Sequence, residues 1–349
     1  MRLRSIDRAP GHAASAAPLL PDRIRRFLDA RTEPTPYAIV HRESTVRLRH
    51  YAAWTPNSRP VPVVIAYALI NTPAILDLDA ERSVVRQFLA AGFDVYVLDW
   101  GRPTTLDQAR THEDYVRYLE NAVDAARGHA DVGAVHLVGC SVTAPLSAVT
   151  AALSPGSIRT LSLQGPPLDF GATGGMLAFR ELLSPHVDGL VDCYGNVPAE
   201  LLDAGFVLRK PFTVGVGYSL EFLANLDDPT HAERAGRVAF WSADGPDWPG
   251  RAFQEYVARL VVDNRLIENR LSVGPRSVDL DAIDMPVALL IGTEDAYVPP
   301  KASLPFLEVI PSEDTAVIEF PTGHVGTFVD AAAHTDGWPR VCDWLAARS

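Results

Sequence analysis

Two patterns alternate along the chain: short unbroken apolar runs, and longer stretches whose apolar residues recur at helical spacing. The first clear run is Pro62-Val63-Val64-Ile65-Ala66-Tyr67-Ala68-Leu69-Ile70, the form of a strand covered on both faces. Before it, residues 21–28 have helical spacing, and 38–54 are rich in Val, Arg and Tyr with near alternation, which predicts one or two early strands. After it a helix is predicted at 81–91, closed by Gly92, and Asp94-Val95-Tyr96-Val97-Leu98-Asp99-Trp100 gives the next buried strand. Residues 111–127 predict a longer amphipathic helix, with Thr111 as N-cap, Glu113 and Asp114 in the first turn, and Gly128 just past the end. Then Val135-His136-Leu137-Val138 runs through Gly139-Cys140-Ser141-Val142-Thr143 into a helix-forming stretch at 145–153, and 160–164 reads as one more strand.

Repeated strand–helix alternation predicts an α/β fold with a doubly wound, mostly parallel sheet. From 171 to 271 the rhythm is lost: Pro185, Pro198, Pro211, Pro246 and Pro249 interrupt it, with helix-like pieces at 199–206 and 250–264. It returns with strands at 285–292 and 314–320 and a terminal helix at 337–347. A structureless loop of that length is rare in a compact domain, so the middle reads as an inserted, mostly helical cap. The expected division is a tail and helix (1–35), a first part of the core (36–170), the cap (171–275) and a second part of the core (276–349).

Composition narrows the function. Asp and Glu number 43 against 31 Lys and Arg, a net charge of -12, which argues against binding a nucleic-acid backbone. The 3 cysteines, Cys140, Cys193 and Cys342, are too dispersed for a disulfide framework or a zinc site, so no metal is expected and the compartment reads as reducing. No segment approaches the roughly 18 apolar residues of a membrane span, and residues 1–20 lack the apolar core of about seven that a secretory signal needs. The expectation is a cytoplasmic protein.

The chemistry concentrates at the turn after 135–140. A glycine, a variable residue and a serine between strand and helix form the G-x-S-x-G elbow of α/β-hydrolases, here with Thr143 in place of the last glycine. In that fold the acid and the histidine follow in chain order beyond later strands. Asp295, in Gly292-Thr293-Glu294-Asp295-Ala296-Tyr297-Val298-Pro299-Pro300, and His324, in Pro321-Thr322-Gly323-His324-Val325-Gly326, stand in those places. A hydroxyl is a poor nucleophile at neutral pH, so histidine must take its proton and a carboxylate must orient the histidine. The oxyanion would be held by the Val142 backbone N–H and by the loop at Ile70-Asn71. Cys140 is the alternative nucleophile, although that register puts Val138 where the elbow wants glycine. His136 reads as a strand residue and Glu294 as a solvated neighbour. Asp99, Trp100 and Arg102 either border the pocket or pack beneath the cap, and Tyr194, Trp241 and Trp248 either line an acyl tunnel or fill the core.

From about residue 36 to the end the chain resembles the catalytic subunit of the polyhydroxyalkanoate synthases, especially the two-subunit type. The resemblance rests on Tyr67-Ala68-Leu69-Ile70-Asn71-Thr72-Pro73 with Leu76-Asp77-Leu78, on Gly92-Phe93-Asp94-Val95-Tyr96, and on Asp99-Trp100-Gly101-Arg102-Pro103. It extends through Pro166-Pro167-Leu168-Asp169-Phe170, Gly195-Asn196-Val197-Pro198, Leu201-Leu202, Lys210-Pro211-Phe212, Val298-Pro299-Pro300 and Gly323-His324-Val325-Gly326. It implies an α/β-hydrolase core under a cap, and a Cys-Asp-His triad that moves 3-hydroxyacyl groups from coenzyme A onto a growing polyester. This chain departs from the family at the chemistry. The family box G-x-C-x-G-G, registered on Gly139, places Ser141 at the nucleophile, with Val142-Thr143-Ala144 after it. Ala296 stands where the family keeps a histidine after the acid.

Three functions follow. The first is an acyltransferase that forms an acyl-Ser141 intermediate from acyl-coenzyme A or a carrier-bound thioester and passes it to a hydroxyl or amine. The second is a thioesterase or esterase of the same fold, which the serine favours, and the third a non-catalytic relative that binds polyester granules or a synthase. No cofactor is expected beyond the thioester substrate, and a homodimer or a companion subunit is a candidate partner.

Overall fold

Val63, Val64, Ile65 and Ala66 are fully buried, because strand β3 (Val63–Ala66) sits inside a sheet with helices on both faces. Before it come β1 (Ala38–Glu43) and β2 (Val46–Tyr51), and after it β4 (Val95–Asp99), β5 (Val135–Cys140) and β6 (Ile158–Gln164). Two short pairings follow, β7 (Asn196–Val197) with β8 (Trp248–Pro249) and β9 (Ser272–Val273) with β10 (Arg276–Ser277); then come β11 (Val287–Gly292) and β12 (Thr315–Phe320). The structure is a computed structural model that describes residues 19–32, 34–55, 58–171, 180–181, 184–209 and 222–349, with the side chains of 206–209 excepted. The tail at 1–18 and the Lys210-Pro211-Phe212 segment lie outside the described residues.

The main sheet has 8 strands in the order β1-β2-β4-β3-β5-β6-β11-β12. Strands β3, β4, β5, β6, β11 and β12 pair in parallel, while β1 and β2 form an antiparallel edge. The order reverses at β3, which has β4 on one side and β5 on the other, and such a reversal opens a crevice at the carboxyl ends of the strands.

Alternate residues of the central strands feed two cores. On one face Val64, Ala66 and Leu98 pack with α3 (His112–Ala130) and α4 (Ala144–Leu153). On the other, Val63, Ile65, Val138 and Cys140 pack with α2 (Val84–Ala90) and α9 (Trp338–Ala346), around the fully buried Trp338. The amino-terminal helix α1 (Leu20–Asp29) lies outside both, against the helical middle of the chain.

Several boundaries differ from the sequence reading. The apolar run at 62–70 is strand only as far as Ala66; Tyr67, Ala68 and Leu69 stay buried but leave the sheet as a loop. Helix α3 runs through Gly128 to Ala130 and stops at Asp131, which takes the left-handed conformation at φ 55° and caps it. Thr111 caps its start as expected, in a reciprocal box with Asp114. Between β6 and β11 the described segment is mostly helical, with α5 (Val187–Tyr194), α6 (Ala199–Arg209), α7 (Pro229–Ala243) and α8 (Gly250–Tyr256), the last widening into a π-helical stretch at Val257–Val262. The sequence spacing marks neither α5 nor α7. Among the described residues no helix is long and apolar enough to cross a membrane, and no group of three His, Cys, Asp or Glu could hold a metal ion.

Candidate active site

Strand β5 ends at Cys140 and helix α4 begins at Ala144, so the chain reverses within Ser141-Val142-Thr143. The turn is tight enough to force Ser141 to φ 51°. A non-glycine residue there costs about 1–3 kcal/mol, and such strain persists only where the surroundings impose it. Two residues earlier, a Cβ on Gly139 would lie 2.3 Å from Ser147 Oγ and 2.5 Å from Ser147 Cβ. The first glycine of the motif is therefore required by the helix folding back across the strand that feeds it.

The turn aims the Ser141 hydroxyl at a histidine. Ser141 Oγ lies 2.9 Å from His324 Nε2, and His324 Nδ1 lies 2.5 Å from Asp295 Oδ2. A carboxylate only accepts, so Nδ1 carries the proton and donates to Asp295, which leaves the Nε2 lone pair to accept from the serine. Asp295 is almost wholly buried, and its other oxygen, Oδ1, accepts from the backbone N–H of Tyr297 at 2.8 Å and of Val298 at 2.9 Å. Burial lowers the proton affinity of His324, but the charge and hydrogen bond of Asp295 outweigh it and leave the imidazole above its ordinary value. The three residues come from the carboxyl ends of β5, β11 and β12.

Cys140 points the other way. It is completely buried in the core beneath the sheet, and burial pushes its thiol pKa up, so it stays protonated and poorly nucleophilic. His136 is a buried strand residue with Nδ1 2.9 Å from Thr160 Oγ1. Trp100 is buried and its indole N–H donates to the Tyr67 carbonyl, while Arg102 pairs at 2.6 Å with Asp244 on the helical segment. Trp241 donates to the Thr72 carbonyl at 2.9 Å, Trp248 packs on Phe253 and Tyr256, and Tyr194 is exposed. Ile70, Asn71 and Val142 are half-buried, on the β3 loop and at the elbow.

Sequence reasoning missed the groups that hold the histidine. Gly165 follows β6 at φ 49°, and a Cβ there would stand 2.7 Å from His324 Cε1, so this glycine clears the space the ring occupies. Its signal was a glycine closing an apolar strand before Pro166-Pro167. The buried Gln164 amide donates to Thr327 Oγ1 at 2.9 Å, and that hydroxyl donates to the His324 carbonyl at 2.7 Å. The Trp338 indole N–H donates in turn to the Thr327 carbonyl. No pattern in the sequence marks these polar pairs.

No family model matches the chain. It is 40% identical over 348 residues to the poly(3-hydroxyalkanoate) polymerase subunit PhaC of Haloarcula marismortui, covering 97% of this chain and 73% of that one. Against the protein of the same name from Haloferax mediterranei it is 39% identical over 332 residues, 94% of this chain and 67% of that one. The Allochromatium vinosum subunit is 32% identical over 320 residues, with 91% and 90% covered. Among solved structures, a soluble variant of monoglyceride lipase from Saccharomyces cerevisiae superposes with a TM-score of 0.58 at 12% identity, over 92% of this chain and 97% of that one. The Paleococcus ferrophilus monoacylglycerol lipase gives 0.55 at 18% identity, over 87% and 99%. These likenesses show the fold, an α/β-hydrolase core.

Proposed function

The chain belongs to the poly(3-hydroxyalkanoate) polymerase family of PhaC subunits, and from that premise we propose that it is an acyltransferase working through an acyl-Ser141 intermediate. The observation that carries the reading is the continuous relay from Ser141 Oγ through His324 to Asp295 at the ends of three strands. His324 Nε2 takes the Ser141 proton as Oγ attacks the thioester carbonyl of an acyl-coenzyme A or carrier-bound acyl group. The Val142 N–H and an N–H from Ile70 or Asn71 hold the oxyanion of the tetrahedral intermediate. Its collapse breaks the C–S bond, the imidazolium returns the proton to the departing thiolate, and the acyl group stays on Ser141. A hydroxyl or amine acceptor then gives its proton to His324, attacks the ester, and leaves with the acyl group as Oγ recovers its proton. A 3-hydroxyacyl chain, whose own hydroxyl can serve as acceptor, is the substrate class that fits the family.

The remaining assignments belong to the same proposal. The described part of 171–275 serves as the cap, with Arg102–Asp244 and Trp241–Thr72 joining it to the core. The enzyme needs no cofactor or metal, works in the cytoplasm, and assembles as a homodimer or with a companion subunit. A second reading, hydrolysis, is favoured by the serine itself, since an oxoester exchanges less readily than a thioester and an activated water resolves it. Ala296, in place of the family's histidine, favours it too.

Incubation with a 3-hydroxyacyl-coenzyme A followed by intact-mass measurement tests the intermediate. The expected result is one acyl adduct, lost in Ser141→Ala and kept in Cys140→Ala; the reverse pattern overturns the register. Product analysis with and without an added alcohol separates transfer from hydrolysis.

A further inference from the structure

The elbow carries a threonine where the motif ends in glycine, and its hydroxyl is engaged across the sheet. Thr143 is fully buried, and its Oγ1 donates to the Tyr67 carbonyl at 2.9 Å. The second lone pair of that carbonyl accepts from Trp100 Nε1 at 2.7 Å. Tyr67 is the first residue beyond β3, Trp100 the first beyond β4, and Thr143 lies three residues beyond β5. Because β3 lies between β4 and β5, one carbonyl ties together the carboxyl ends of three adjacent strands. The loop that starts at this carbonyl contains Ile70 and Asn71, and its far end is held where Trp241 Nε1 donates to the Thr72 carbonyl.

We propose that Thr143 is a positioning residue for catalysis: its hydroxyl fixes where the Tyr67–Thr72 loop leaves the sheet and so sets the loop amides against the elbow. This rests on the acyl-Ser141 reading, in which those amides stabilise the oxyanion. An oxyanion donor works only if it is aimed before charge develops, and loss of one donor costs about 10²–10³-fold in turnover. A glycine at this position has no group with which to make the tie. The threonine adds a local lock, and the β-branched side chain keeps few rotamers to lose.

The test pairs Thr143→Val, which keeps the shape and removes the hydroxyl, with Thr143→Ser, which restores it. Trp100→Phe removes the other donor while keeping an aromatic ring in the core. Two readouts are taken: kcat and KM for thiol release from a 3-hydroxyacyl-coenzyme A, and backbone amide exchange over residues 67–72 followed by mass spectrometry. The expected result for Thr143→Val is faster exchange in that segment and kcat lower by about 10–10²-fold, with KM within about twofold. Thr143→Ser should return kcat to within about threefold of the parent, and Trp100→Phe should quicken exchange in the same segment. Unchanged exchange in Thr143→Val overturns the anchor, and quickened exchange with unchanged kcat overturns its role in catalysis. If the parent protein forms no adduct on Ser141, the acyl-enzyme reading falls, and the exchange data still decide whether the anchor exists.

Discussion

Ser141 and His324 meet at 2.9 Å but are held in place by different means. The serine is held by backbone shape: a strand, a left-handed turn at φ 51°, and a helix packed so closely that residue 139 has no room for a Cβ. The histidine is held by hydrogen bonds, with Asp295 on its ring and the Gln164–Thr327 pair on its carbonyl. A group fixed by shape is insensitive to pH and intolerant of added volume. A group fixed by hydrogen bonds responds to protonation and to the loss of single polar atoms. The site therefore joins a rigid half to a titratable half.

The largest expected effect falls on the titratable half. Asp295→Asn should lower kcat by about 10⁴-fold, as loss of the orienting carboxylate does in related triads, with the acyl adduct and steady-state rate as readouts. In the parent, turnover should fall as pH drops through the His324 pKa, which Asp295 holds above the ordinary value of about 6.5. Asp295→Asn should move that limb toward acid; an unmoved limb would assign it to another group. The sign reverses for folding: a raised histidine pKa contributes stability below the unfolded value, and that contribution is lost as pH rises through the folded one. Over that window activity rises while this contribution to stability falls.

Gly165→Ala is expected to come next, with kcat lower by about 10²-fold, because the new methyl displaces the imidazole from its line to Ser141. Stability should also fall, by the roughly 1–3 kcal/mol that a Cβ at φ 49° costs, and an unchanged kcat in the folded variant would make Gly165 a folding residue only. On the rigid half, Gly139→Ala should cost about 1–3 kcal/mol by overpacking against Ser147, read by chemical denaturation. Its His324 acid limb should stay in place, which is the sharpest contrast between the two halves. The smallest effect is assigned to Thr327→Val, about 1 kcal/mol or roughly fivefold in kcat, through loss of the bonds to the His324 carbonyl and from the Gln164 amide.

The parts of this site that were legible in the sequence are those fixed by strand ends. Continuous apolar runs such as Val287–Gly292 are read easily because both faces are buried, and Asp295 follows that run within three residues; His324 follows the edge strand Thr315–Phe320, whose exposed Thr315, Val317 and Glu319 leave a weaker signal. At Tyr67 the apolar run continues but the sheet does not, because a packed loop buries its side chains as fully as a strand does. Helix α7 escaped notice because it buries only Ala232, Gly236 and Trp241, too little for an apolar stripe, even though Asp228 and Pro229 mark its start. Gln164, Thr327 and Thr143 work through contacts between residues far apart in the chain, which no local spacing encodes.

The burial of Cys140 has a practical consequence for chemical labelling. Of the three thiols, Cys140 and Cys342 are buried and pushed up in pKa, and Cys193 on α5 is exposed. A maleimide dye or spin label added to the native protein should therefore mark one position, on the helical segment between β6 and β11, and leave the elbow untouched. Without any engineered cysteine, the molecule carries its own reporter of the surroundings of that segment.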